Sequence, residues 1–211
     1  MSSSSRYRLA RRGALAGTVW ESPAGPLEIL ASDGGLRLIQ FAANGAGVTA
    51  GTAGVPPGPA RRRSPRANTY PNLQPKAEAI VAQAGQQLEE YFAGTRRDFE
   101  LPLDLCGTRF QIDVWQALLR VPYGETITYR ALAASAGRPA AIRAAGAANG
   151  ANPLSIVVPC HRAIGTNGSL TGYAGGLPIK RFLLDLERAV RQTSRPQPPP
   201  PGVSIESTSP G

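Results

Sequence analysis

Cys160 is followed directly by His161 and Arg162, and preceded by the apolar run Ile156, Val157, Val158 and then Pro159. A thiol in apolar company is usually inert packing. Here the chain's single histidine and an arginine stand beside it. An imidazole can take the thiol proton, positive charge favours thiolate, and thiolate is the nucleophilic form of cysteine. The pattern therefore predicts a reactive thiol at the end of a strand-like segment. Cys106, the only other cysteine, has no such company in sequence and reads as structural. Two cysteines and one histidine cannot readily supply the four ligands of a structural zinc site. Two cysteines also make no disulfide framework, which points to a reducing compartment.

The elements that must hold this thiol fall into two ordered blocks of the 211 residues. In the first, Leu27 and Ile29, then Leu36, Leu38, Ile39 and Phe41, flank the turn residues Ser32 to Gly35 and predict a β-hairpin. Ala77, Ile80, Val81, Ala84, Leu88 and Phe92 recur at helical spacing, with Gly94 suited to the C-terminal cap. Phe99, Leu101 and Leu103 alternate and predict another short strand. The block reads as a small α+β domain over 17–103.

The second block, 104–190, is mainly helical. Thr108 and Gln111 fit a capping box, and Phe110, Val114, Ala117, Leu118 and Val121 trace one apolar stripe that Pro122-Tyr123-Gly124 ends. A short helix follows from Tyr129 to Ala136, capped by Thr128. After the turn Gly137-Arg138-Pro139, a third helix runs from about Ala140 to Asn149, completing a helix-turn-helix pattern. That third helix carries Arg143 as its one charge among alanines and Gly146. Without long side chains to reach base edges it would bind DNA with little sequence preference. A last helix starts near Pro178 and buries Ile179, Phe182, Leu183 and Leu186.

Three stretches read as unstructured: a basic leader over 1–16, a Gly/Pro/Ala-rich insert over about 43–72, and a Pro-rich tail over 191–211. Their compositions bury too little apolar area to offset chain ordering. The formal net charge is +9, which favours a polyanionic partner, although part of the excess lies in these stretches, at Arg6, Arg8, Arg11, Arg12, Arg61, Arg62 and Arg63. No apolar run approaches membrane-spanning length.

The residues resemble those of the O6-methylguanine-DNA methyltransferases. The likeness rests on Pro159-Cys160-His161-Arg162, on Gln87 to Gly94, on Gly107-Thr108 with Phe110-Gln111, and on Val114-Trp115. It continues through Val121 to Gly124, Thr128-Tyr129, Arg143, Gly146, Ala148-Asn149, Asn152-Pro153, Leu170 to Leu177, and Leu183-Leu184 with Glu187. It is strong over 87–188 and weak over 17–41. It implies an α+β protein in which a small ribonuclease H-like α/β domain precedes a winged helix-turn-helix-type domain carrying the reactive cysteine.

The resemblance also implies roles. Cys160 would take an alkyl group from guanine O6, with His161 as base, Glu187 orienting the imidazole, and Asn152 holding the cysteine loop. Tyr129, Val158, Tyr173, Ala174 and Gly175 would form the guanine pocket. Arg143, Ala144, Gly146, Ala147 and Asn149, with Arg130 and Arg162, would meet DNA, and Arg143 would fill the place of a flipped nucleotide. Transfer would be single-turnover, would extend to O4-alkylthymine, and would need no cofactor or metal. The partner would be duplex DNA containing O6-alkylguanine. The protein would be a cytoplasmic, nucleoid-associated monomer without membrane attachment. Ala145, where a larger aliphatic is common, and Ala151, where a basic residue is frequent, depart from the family pattern. Three other readings stay open: a non-catalytic binder of alkylated DNA, a Cys-His hydrolase, and a DNA-binding module with an incidental thiol.

Overall fold

A computed structural model describes residues 14, 16–42 and 74–193. The expected insert and most of the leader and tail lie outside the described residues. Three antiparallel strands open the chain: β1 (Ala16–Ser22), β2 (Gly25–Ser32) and β3 (Gly35–Phe41), in the order β1-β2-β3. The expected hairpin is β2–β3, turning at Asp33 and Gly34. Strand β1 was not foreseen, and its start at Ala16 trims the expected leader. Only Ala16 of its seven residues is buried, so β1 shows no apolar alternation to read.

Helix α1 (Pro75–Phe92) covers the sheet with the expected stripe and adds Gln87 and Tyr91 to its buried face. Gly94 follows its cap at φ 75°, a left-handed conformation that glycine adopts without steric cost. The expected strand at Phe99–Leu103 is a correction: it makes one isolated parallel bridge, Leu36 to Leu103. Pro102 has no N–H to give a ladder, and the Gln87 side chain already satisfies the backbone of Glu100 in both directions, at 3.0 and 2.9 Å.

In the second block α2 (Arg109–Leu119) carries the full Thr108–Gln111 capping box. Strand β4 (Ile127–Thr128) leads into α3 (Tyr129–Ser135), whose N-terminus Thr128 caps by accepting from the Ala131 N–H. The turn at Gly137 leads to α4 (Ile142–Gly150), and Trp115 Nε1 on α2 donates to the Ala148 carbonyl at 2.9 Å, tying α4 to the core. Strand β5 (Ala163–Ile164) pairs in parallel with β4. Helix α5 (Leu177–Thr193) closes the described chain, running three residues into the expected tail. Its buried face is Ile179, Lys180, Leu183, Leu184 and Glu187; Phe182 and Leu186 stay partly exposed.

The two blocks share one core. The outer edge of β3, which would otherwise present unpaired backbone, is covered by the second block: Ile39 N–H donates to the Pro153 carbonyl and Ser155 N–H to the Ile39 carbonyl, each at 2.9 Å. Nearby, Gly35 is obligatory, because a Cβ there would sit 2.5 Å from the Pro102 carbonyl oxygen. Among the described residues no helix is long and apolar enough to cross a membrane.

Candidate active site

The segment before the cysteine is a loop, not the strand-like run its composition suggests. Beyond the single bridge of Leu154 to Ile39 it makes no ladder. Ile156 is held at φ 74°, a conformation that is strained for a β-branched residue. Asn152 fixes this loop from inside. Its Nδ2 donates to the Val158 carbonyl at 2.8 Å, and its Oδ1 accepts from Leu154 N–H at 3.0 Å. Cys160, His161 and Arg162 then form one 3-10 turn, with all three side chains buried.

His161 Nε2 lies 2.9 Å from Glu187 Oε1, both side chains fully buried. A carboxylate can only accept, so Nε2 carries the proton and Nδ1 is the acceptor. Nδ1 is buried with no hydrogen-bond partner, which leaves its lone pair for a thiol proton or a bridging water. Burial pushes the imidazole pKa below its ordinary value, more than Glu187 pulls it up, so the ring is neutral near pH 7 and fit to act as base. Burial likewise pushes the Cys160 thiol up to about 11, against the pull of Asn152, the Lys180 charge and nearby backbone amides. The resting sulfur is therefore a thiol, and it needs a base for attack.

Burial alone would raise the Glu187 carboxyl; hydrogen bonds and charge from His161 and Arg162 outweigh it and hold the group well below the carboxylate range. Arg162 grips Glu187 with two parallel bonds, Nε to Oε2 at 2.9 Å and Nη2 to Oε1 at 2.8 Å, and gives Nη1 to the Val121 carbonyl. Arg162, expected on DNA, is 6% exposed and bonded to this carboxylate. Asn149, also expected on DNA, is 2% exposed because it shares the inward face of α4 with Ala145 and Ala148.

The other expected DNA residues lie outward. Arg143, Ala144 and Ala147 are exposed on α4, Gly146 is half-buried, and Arg130 is exposed on α3. Beside α4 opens a cavity of about 350 Å³ lined by Tyr129, Gly146, Gly150, Thr171, Gly172, Tyr173 and Ala174. Tyr129 donates to the Thr171 carbonyl at 3.0 Å. Val158 and Gly175 lie outside that lining. Val158 is fully buried, and Gly175 is wedged against Tyr173 and Phe41, where a Cβ would meet ring carbons at 2.9 and 3.0 Å.

Sequence reading missed Lys180. Its ammonium is buried, donating to the Ala163 carbonyl at 2.6 Å and the Thr171 carbonyl at 2.9 Å, and lies 5.9 Å from the Tyr129 ring centre. It joins the turn after Cys160 to the cavity rim, and its charge favours thiolate at Cys160. The signal was present: Lys180, Leu183, Leu184 and Glu187 stand at i, i+3, i+4 and i+7, one face of a helix.

Comparison with known proteins agrees with both blocks. Residues 15–105 match the family "6-O-methylguanine DNA methyltransferase, ribonuclease-like domain", and residues 109–189 match "6-O-methylguanine DNA methyltransferase, DNA binding domain". A methylated-DNA–protein-cysteine methyltransferase of Methanosarcina acetivorans is 41% identical over 80% of this chain and 96% of its own length. The constitutive one of Bacillus subtilis is 55% identical over 57% of this chain and 73% of its own. Among solved structures, Mycobacterium tuberculosis OGT in complex with DNA aligns with a TM-score of 0.66 at 38% identity, over 83% of this chain and 94% of that one.

Proposed function

The chain belongs to the 6-O-methylguanine DNA methyltransferase family, and from that premise we propose that it repairs duplex DNA by moving an alkyl group from guanine O6 permanently onto Cys160. The observation that carries this reading is the buried His161–Glu187 pair, whose histidine lies in the turn that holds Cys160, with His161 Nδ1 lacking a partner and Nε2 bonded to Glu187 at 2.9 Å.

His161 takes the thiol proton, directly or through a water, and the Cys160 sulfur attacks the alkyl carbon. One C–S bond forms as the C–O6 bond breaks, and the released electron pair stays on guanine, which takes up a proton. The product thioether has no group beside it to hydrolyse it, so each chain acts once. Glu187 stabilises the imidazolium that appears on proton transfer. Lys180 favours the developing thiolate. Tyr129 stands at the cavity rim, where its hydroxyl can offset charge on the leaving base.

Guanine O6 cannot reach a buried thiol from inside a duplex, so the nucleotide is flipped into the cavity beside α4. Arg143 projects from the outer face of α4 to occupy the vacated stack, with Ala144, Gly146 and Ala147 against the minor groove and Arg130 on the backbone. The partner is duplex DNA carrying O6-alkylguanine, and the protein works as a monomer, with O4-alkylthymine as a second substrate.

The test is incubation with a duplex oligonucleotide labelled on the O6-methyl group, followed by mass spectrometry. One label per chain on the Cys160 peptide is the expected result. Repeated turnover would make the protein a hydrolase, and binding without transfer would make it a non-catalytic reader of damage.

A further inference from the structure

One donor to the catalytic carboxylate comes from the other block of the fold. The Tyr91 hydroxyl, on α1, donates to Glu187 Oε1 at 2.9 Å. His161 Nε2 and Arg162 Nη2 use the same oxygen, at 2.9 and 2.8 Å. Oε2 takes Arg162 Nε and the Gly124 N–H, each at 2.9 Å. A carboxylate oxygen offers two lone pairs, so the three donors on Oε1 compete. Tyr91 is fully buried, and its ring packs at 5.3, 5.6 and 6.0 Å from the rings of Phe92, Phe99 and Tyr123. Packing of that kind asks only for a ring; the hydroxyl is a separate feature, aimed at the oxygen that orients the base.

We propose that Tyr91 is a positioning residue: its hydroxyl, supplied by the N-terminal block, shares Glu187 Oε1 with His161 and so sets how strongly the carboxylate holds the imidazole. Its kinetic consequence rests on the alkyl-transfer reading above; its effect on His161 does not. Burial keeps the Tyr91 phenol protonated, its pKa held well above the ordinary value, so it remains a donor at every working pH. Removing it leaves Oε1 to His161 and Arg162. The carboxylate then favours imidazolium more, and the His161 pKa rises. Neutral imidazole is the base, so the acid limb of the rate profile rises with it.

The groups facing this relay are Cys160 and Arg162 on its own turn, Glu187 and Lys180 on α5, and Tyr91 on α1. Behind them, Tyr123 lies in the loop after α2, with the Arg162 and Arg97 guanidinium carbons 5.6 and 6.0 Å from its ring centre. Tyr91→Phe changes only one of these.

The experiment compares the full chain with Tyr91→Phe. It reads the rate of transfer from free O6-benzylguanine against pH, the melting temperature, and the NMR titration of the His161 ring, the only histidine in the sequence. The His161 pKa and the acid limb should both move up by roughly half to one unit, a three- to tenfold lower rate on the limb, with the plateau held within about twofold. Fluorination of the Tyr91 ring, which makes the phenol a stronger donor of nearly the same size, should move both the other way. Superimposable profiles and titrations overturn the proposal. So does a rate loss equal at every pH with a lowered melting temperature, the signature of lost packing alone. A wild-type chain that puts no label on Cys160 defeats the transfer reading instead, and the ring titration still decides the role of Tyr91.

Discussion

Cys160 and Cys106 both have burial-raised pKa values and a cation nearby, yet only Cys160 stands beside a histidine bonded to a buried carboxylate. Arg37 Nη2 approaches the Cys106 sulfur to 2.7 Å. The same guanidinium gives Nη1 to Asp104 at 2.6 Å, and Asp104 itself raises the thiol. No imidazole is available there, since the only histidine stands beside Cys160. Cys160 has a neutral base, a carboxylate that orients it, and an amide that holds its loop. On the proposed reading, a positive neighbour is not enough to make a thiol a nucleophile, and an oriented acceptor for its proton is the distinguishing feature.

Exchanging the fates of the two thiols gives the largest effect. Cys160→Ala should abolish alkyl transfer while duplex binding persists, and Cys106→Ala should transfer at the wild-type rate within about twofold, a change worth under ~0.5 kcal/mol. Label found on Cys106 by peptide mass spectrometry would reverse the comparison.

The two arginine-bound carboxylates can be broken in parallel. Glu187→Gln removes the charge that stabilises imidazolium, and transfer should slow by about 10²- to 10⁴-fold. It also leaves Arg162 buried without its partner, which should cost roughly 3–5 kcal/mol of stability. Asp104→Asn, at a partly exposed pair with Arg37, should cost only about 0–1 kcal/mol and leave transfer unchanged. Urea titration and single-turnover kinetics read both. Similar losses for the two variants would mean that Glu187 acts as an ordinary structural ion pair.

Arg143 separates the exposed face of α4, proposed to meet DNA, from the buried site. Arg143→Ala should slow reaction with duplex substrate about ten- to a thousandfold, corresponding to about 1.4–4 kcal/mol, through the lost support for a flipped nucleotide. Reaction with free O6-benzylguanine, which needs no flipping, should change little. Equal losses on both substrates would place Arg143 in support of the fold or the cysteine pocket.

How much of this was legible in the sequence depended on how local the determining contact is. The Thr108–Gln111 box and the stripe from Ala77 to Phe92 are local, and both helices form as their spacing predicts. Phe99, Leu101 and Leu103 carry a strand pattern, but Gln87, a helix away, takes the backbone bonds a ladder would need. Ile156 to Val158 reads as a strand by composition, and Asn152 bends it into a loop. The family pattern named His161 and Glu187 together, and the structure pairs them at 2.9 Å; that Arg162 and Asn149 point inward could not be read from sequence, because the direction of a side chain from a turn or helix depends on packing. Tyr91 to Glu187 and Arg37 to Cys106 link residues far apart in the chain, and no sequence period reports such pairs.

The last contrast concerns stability in alkali, where the two thiols differ in degree. A thiol whose pKa is raised by folding holds its proton in the native state after the unfolded chain has lost it. That contribution is complete below the unfolded value and is lost as pH rises through the folded one. For Cys160 the window runs from 9.0 to about 11, and the contribution is on the order of 2–3 kcal/mol. Cys106 is raised in the same direction, but it is only partly buried, and its contribution should be smaller. Tyr91 and Tyr123, also raised, act in the same sense at higher pH, while Lys180, lowered by burial, acts in the opposite sense. All three remain in both cysteine variants, so differences between variants isolate the thiols apart from the Lys180–Cys160 coupling. Unfolding free energies from urea titration at pH 8 to 11 should therefore fall less steeply for Cys160→Ala than for wild type, with Cys106→Ala between them. Identical slopes for the two variants would mean that the sulfurs share one environment, and the contrast between the two regions would then rest on the base alone.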